Sequence, residues 1–181
     1  SRKGSLLDAF DRTVTAPGAR CLAERLGRPL TDIAVINARL DAVGFFVTSA
    51  DTRRICRDRL RAAGDAERAL SRLLLGRGGP RDMKALSAAL EEGAALASAV
   101  QGAPLSAPPL NIQRNIEALT LDDKPELAAL LTDLERAVID EPPLLARDGG
   151  FVAEGWRPEL DETRGLRDES RRVVAGLQQT Y

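Results

Sequence analysis

A chain of 181 residues is long enough to bury one core, and 44% hydrophobic content with only 3% aromatic residues predicts a core of Leu, Ala, Val and Ile, which favours helices. Twenty-six Lys and Arg against 27 Asp and Glu leave a net charge of −1, which excludes long-range attraction of the whole chain to nucleic acid or an anionic membrane. No histidine and two cysteines exclude a disulfide framework, a Cys/His zinc site and a Ser/His/Asp or Cys/His nucleophilic centre.

In chain order, Leu6, Leu7 and Phe10 mark a short helix from Ser5 to Phe10. Thr15 is placed to cap the next helix, with Pro17 in its first turn, Ala19, Leu22, Ala23 and Leu26 on one face, and Gly27 as its stop. Pro29 blocks continuation from Arg28. Thr31 or Asp32 then opens a helix with Ile33, Ile36, Leu40 and Val43 at helical spacing. Thr48, Ser49 and Asp51 form a capping cluster before a helix from about Ala50 to Ala62, which Gly64 ends. Asp65 caps a helix to about Leu75 with Ala66, Ala69, Leu70, Leu73 and Leu74 as its apolar stripe. After Gly76, Gly78 and Gly79, Pro80 starts a long helix in which Met83, Leu86, Leu90, Ala97 and Val100 fall near a seven-residue period, and Gly102 terminates it.

Ala103 to Pro109 reads as a loop, and Ile112, Ile116 and Leu119 suggest a helix over Asn111 to Leu121. Leu127, Leu130, Leu131, Leu134 and Val138 mark a further helix, begun near Pro125 and ended by Pro142 and Pro143. Around Asp148, Gly149 and Gly150, the segments Leu144 to Arg147 and Phe151 to Ala153 have the pattern of a two-stranded hairpin. From Arg157 onward Leu160, Leu166, Val173, Val174 and Leu177 repeat on one face of a charged helix. The expected fold is all-α: one irregular multi-helix domain over residues 1–181, with a candidate short hairpin near Leu144–Ala153 and a long C-terminal helix.

The chemistry is read mostly from what is missing. No G-x-x-x-x-G-K-[ST] run exists to cradle phosphates, and RKGS at Arg2 to Ser5 is not one. Adjacent carboxylates such as Asp122 and Asp123, Glu91 and Glu92, or Asp161 and Glu162 point apart on helices and suit a solvated face. Cys21 and Cys56 are expected as small buried hydrophobes in a reducing compartment. Between Arg53 and Arg81 nine arginines face three carboxylates, and Arg53, Arg57 and Arg61 share a helical face, so weak contact with DNA phosphates is physically allowed. A solvated surface is the plainer reading, because no aromatic residues interleave them. No signal-peptide pattern and no apolar run near the ~20 residues of a membrane span occur, so the expectation is a cytoplasmic protein without a membrane partner.

Two stretches carry a resemblance. DRTVTAPGAR, followed by RPL, a capping Asp and RLDAV, resembles the opening of the core, or lever, domain of MutS, the bacterial DNA mismatch repair ATPase. EPPLLARDGGFVAEGWRPELDE resembles a later signature of the same domain. The motif residues are Asp11, Arg12, Thr13, Gly18, Arg28 and Pro29 in the first stretch and Asp148, Gly149, Gly150, Gly155, Leu160 and Asp161 in the second. Their expected role is structural, with no catalytic, cofactor or metal residue among them.

The resemblance implies a helical body from which long levers run to a DNA-embracing clamp, joining mismatch recognition to an ATPase. It also implies a piece of a longer protein, with mismatch-binding and connector domains before Ser1 and clamp, remaining lever and ATPase after Tyr181. The lack of an initiator, Met83 being the only methionine, agrees with that expectation. ATP and magnesium would belong to the parent. Mismatched DNA and a second MutS subunit would be engaged through its other domains. The family's Phe-x-Glu mismatch reader is absent after Phe10, Phe45, Phe46 and Phe151, and Trp156 stands where family members commonly carry another aromatic. The rival reading is a free-standing helical adaptor that binds partners through apolar grooves.

Overall fold

The structure is a computed structural model and describes residues 3–103 and 107–180, with side chains as far as Gln178. The expected loop at 103–109 falls partly outside the described residues, as does Tyr181. Helix starts follow the caps. Ser5 accepts from the Asp8 N–H at the start of α1 (Leu6–Phe10), and Thr15 accepts from Gly18 at the start of α2 (Ala16–Gly27). Asp32 accepts from Ala34 and Val35 at the start of α3 (Ile33–Thr48), so each side chain satisfies N–H groups that the helix itself leaves orphaned.

At the start of α4 (Ala50–Ala63) the expected cap differs. Ser49 occupies the N-cap position, but its side chain makes no capping hydrogen bond. Its hydroxyl turns inward and is buried without a partner among the described residues. Asp65 caps α5 (Ala66–Leu74) through the Arg68 N–H, as expected.

The body is organised around α6 (Pro80–Gln101), which packs against α4, α5, α7 (Leu110–Leu119) and α8 (Pro125–Ala137). Its buried positions, Pro80, Ser87, Gly93, Ala97 and Val100, occupy a face wider than the single seam its period suggested, because several helices pack against it. Small residues let those neighbours approach: a Cβ on Gly93 would come within 3.3 Å of Leu119. Ala97 and Val100 join Phe45, Cys56, Ile112 and Ile116 in the buried cluster.

The connection from α5 into α6 is tighter still. A Cβ on Gly78 would meet Leu73 at 2.6 Å from a side-chain carbon and 2.8 Å from its Cα, and backbone cannot rotate away as a side-chain tip can. Gly78→Ala is expected to cost ~1–3 kcal/mol, seen as a lower urea midpoint with unchanged slope. Gly27→Ala, where an added Cβ meets nothing within 4 Å, should be neutral or stabilising. Equal midpoints for the two variants would remove this account of the α5–α6 junction.

Three expectations are corrected. The apolar stripe of α3 does not face the core: Ile33 is 73% exposed, Leu40 60% and Val43 59%, with Ile36 half-buried, while Phe45 is the helix's one buried residue. Cys21 is exposed, because α2 covers no buried position, and only Cys56 is in the core. The hairpin is absent from the described residues. Ala146–Asp148 form a 3-10 turn, and Phe151–Ala153 pair instead with the segment after α8: Ile139 N–H donates to the Phe151 carbonyl at 3.0 Å, Ala153 N–H to the Ala137 carbonyl at 2.8 Å, and Val138 bridges Val152.

Val138 therefore leaves the helix that its spacing from Leu134 had assigned it to. Its backbone is extended (φ −114°, ψ 127°), and it stays buried by pairing across to Val152. The last helix, α9 (Pro158–Thr180), follows the sequence expectation closely. Among the described residues no single helix is long and apolar enough to cross a membrane.

Candidate mechanical junction

Asp11 builds the opening corner. Its carboxylate accepts from the Thr13 N–H at 2.9 Å and the Thr13 hydroxyl at 2.6 Å, which fixes the turn into α2. Gly18 follows from the Thr15 cap: a Cβ there would lie 2.9 Å from the Thr15 hydroxyl that its own N–H needs. The Arg12 carbonyl accepts from Arg57 of α4 at 3.0 Å, so the corner is tied to the body through backbone. Arg28 and Pro29 are exposed in the connection to α3; the Arg28 N–H donates to the Glu24 carbonyl at 2.9 Å and closes α2, and Pro29 turns the chain away from helix.

A second tie was not legible. Arg20 of α2 donates to both carboxylate oxygens of Asp65, at 2.8 and 3.1 Å, and to Glu67 at 2.8 Å, bracketing the start of α5. These hydrogen bonds hold the Asp65 carboxyl below the usual carboxylate range and the guanidinium above its own. A depressed folded-state pKa stabilises above the unfolded value, near 3.9, and that contribution fades as pH falls through the folded value. The Arg20→Ala deficit, measured by urea unfolding, is therefore expected at pH 7 and smaller at pH 3. Because the pair is solvent-exposed, the deficit should be modest and reduced by salt. A deficit that grows on acidification would contradict the assignment.

Arg53, Arg57 and Arg61 do share a face of α4, as their spacing predicted, but their guanidiniums are engaged. Arg53 donates to the Phe46 and Val47 carbonyls at the end of α3, Arg57 to Arg12, and Arg61 to Asp58. Arg54 lies between Asp51 and Asp58, which further offsets the local charge.

The second motif forms the root of α9. Gly149, Gly150 and Gly155 have φ of 70°, 72° and 79°, a left-handed backbone that side-chain-bearing residues adopt at a cost. Gly155 N–H donates to Asp161 at 2.7 Å, and the other oxygen of Asp161 accepts from Arg164 at 3.0 Å. Arg164 also reaches the Val152 carbonyl at 2.9 Å, so the first turns of the helix are latched to the segment that bridges Val138 at the end of α8. Leu160 is half-buried and Asp148 is exposed. Arg136 of α8 lies over the Trp156 ring, 5.8 Å from its centroid.

The same segment is fastened to α6. Arg81 donates to the Pro142 carbonyl at 3.1 Å and Lys84 pairs with Asp140 at 2.8 Å. A continuous path of contacts thus runs from α6 and α8 through the Val138–Val152 bridge and Arg164 into α9. Sequence reading missed Arg20, Arg164 and the bridge. Only Arg164 left a signal, its i,i+3 spacing from Asp161.

Among the described residues no three His, Cys, Asp or Glu side chains gather as a metal site, and burial pushes the Cys56 thiol above its ordinary value, away from the reactive thiolate. What the geometry offers is a helical body, a corner and a latched helix.

The family model described as MutS domain III matches residues 1–180. The chain belongs to the MutS domain III family. It is 54% identical over 179 residues to the DNA mismatch repair protein MutS of Caulobacter vibrioides, covering 98% of this chain and 20% of that protein. The MutS of Azorhizobium caulinodans is 55% identical over 180 residues, covering 99% and 18%, and that of Rhizobium meliloti 50% over 181, covering 100% and 19%. The chain thus spans about a fifth of the length of the curated relatives it matches.

Proposed function

We propose that this domain is a mechanical element of a cytoplasmic DNA mismatch repair protein, passing conformational change between sites held by other domains and catalysing nothing itself. The observation that carries the reading is the latch. It joins a 23-residue helix, about 34 Å long at the usual rise, to a body centred on α6 through Asp161, which accepts from the Gly155 N–H, and Arg164, which donates to the Val152 carbonyl. A stiff lever on a fixed root is what transmission needs, because both ends must bias one element with discrete arrangements. ATP and magnesium then belong elsewhere in the parent, consistent with a sequence that has no phosphate cradle. Mismatched DNA and a second subunit are likewise assigned to other domains.

Phosphate contact through Arg53, Arg57 and Arg61 would break bonds these side chains already make, so we place it second and expect it weak and steeply salt-sensitive. The test of the main reading is Arg164→Ala in the longer protein. Basal ATP turnover should persist while its response to mismatched DNA falls several-fold, and the isolated chain should give no heat with ATP and magnesium. An undiminished mismatch response, or saturable micromolar ATP binding by the isolated chain, would replace the lever with another function.

A further inference from the structure

α1 and α2 differ from the helices of the body in how they are held. They bury no residue, whereas Phe45 of α3, Cys56 of α4, Ala69 of α5, Val100 of α6, Ile112 of α7 and Leu134 of α8 are all buried. The closely packed helix pairs couple α2 with α1, and α6 with α4, α5, α7 and α8. Where the start of α2 meets the body, Thr15 and Pro17 line a crevice of about 250 Å³ together with Leu60, Ala63, Leu96 and Leu119. Leu60 and Leu119 keep 41% and 38% of their surface exposed, so the contact is open and apolar packing contributes little to it. The fastening is polar instead: Arg20 to Asp65 and Glu67, and Arg57 to the Arg12 carbonyl. Residues 28–32, which connect α2 to α3, are non-helical and exposed except at Leu30. Within the pair, by contrast, the Asp11–Thr13 bonds and the Thr15 cap hold the corner by themselves.

We infer that α1 and α2 form a hinged strap, which leaves the body as one piece when Arg20 releases Asp65 and Glu67 and turns about residues 28–32 while α4 to α8 stay folded. The clasp suits release. Half of the Arg20 side chain and 76% of that of Glu67 are exposed, so water and ions compete for these bonds, whereas a buried apolar contact opens only with the core. Arg57 adds a single hydrogen bond to a neutral carbonyl, which is lost in the same movement. The body is not undone by it, because Asp65 also accepts from the Arg68 N–H and keeps capping α5 after Arg20 has gone. Closed, the strap roofs the crevice over Leu60, Leu96 and Leu119; released, it opens that crevice to solvent. The device lies at the other end of the sequence from α9 and does not depend on the lever reading.

The test pairs a nitroxide on the native, exposed Cys21 of α2 with one at Ser98→Cys, an exposed position on α6, in the 181-residue chain, where burial protects Cys56 from labelling. Dipolar distances are read beside hydrogen exchange, because a 12-residue helix is marginal alone and α2 exchanges once it leaves the body. Arg20→Ala and Asp65→Asn/Glu67→Gln are each expected to shift the distance towards a second, longer one and to speed exchange over Cys21 to Leu26 at least about threefold, with Met83 to Val100 unchanged. Asparagine still caps α5, so the second variant breaks the clasp alone. The three substitutions together should do no more than Arg20→Ala, and raising NaCl from about 0.05 to about 0.5 M should move the wild-type chain the same way. An Arg20→Ala chain with unchanged distance and exchange overturns the inference, since packing would then hold α2. Exchange over Met83 to Val100 that rises in step with α2 overturns it too, because the two helices would then be part of the body.

Discussion

Phe45→Ala should lower the unfolding free energy by ~3–5 kcal/mol, while Leu40→Ala, five residues earlier on the same helix, should change it by ~0.5 kcal/mol or less. Phe45 is 5% exposed and lies among Cys56, Ala97, Val100, Ile112 and Ile116, where its removal leaves a cavity that α6 and α7 cannot close without shifting. It also loses the edge-to-face contact with Phe46. Leu40 is 60% exposed and leaves nothing behind. Because Phe45 is the one buried side chain of α3, its loss should also loosen that helix as a unit. Guanidinium unfolding followed by circular dichroism measures both differences. A Leu40→Ala cost equal to that of Phe45→Ala would mean that the stripe, and not Phe45, is what holds α3 in place.

The same helix shows what the sequence could and could not convey. Thr15, Asp65 and the choice of Thr31 or Asp32 were readable as caps because capping is a local exchange of hydrogen bonds within three residues. The stripe Ile33, Leu40 and Val43 was readable as apolar, but periodicity reports that a face avoids water and not which neighbour covers it. Phe45 lies off that stripe and was invisible as the core residue. The hairpin failed for a related reason. Gly149 and Gly150 do take the left-handed backbone that a tight turn needs, yet the choice of partner for Phe151–Ala153 was settled by the end of α8, which is remote in sequence from the turn. Of the candidate site, the motif glycines and Asp161 were legible through the resemblance. Arg20 completes it through carboxylates that only the fold brings to it, and Arg164 through Asp161 on its own helix and a Val152 carbonyl that only the fold supplies.

The lever makes the largest difference in dynamics. Amides of Arg171 to Gln178 in α9 should exchange with solvent at least about a thousandfold faster than those of Met83 to Val100 in α6. Opening of α6 requires the body's global unfolding, of order 5–15 kcal/mol, whereas each tenfold in exchange is 1.4 kcal/mol and the far turns of α9 cover nothing. Leu166, Val173, Val174 and Leu177 are all more than half exposed, so these turns rest on backbone hydrogen bonds and charged side chains alone. Protection should rise towards the root, where Arg164 and Asp161 fasten the first turns to Val152 and Gly155. Arg164→Ala should carry fast exchange back to Leu160 and into the Val138–Val152 bridge, while Met83 to Val100 stays protected. Sedimentation at several concentrations runs alongside, because pairing of α9 stripes between molecules would slow exchange by burial. Slow exchange to the end of α9 in a monomer would mean that the stripe is covered within the domain itself. The helix would then be part of the body, and the latch at Arg164 would have no lever to hold.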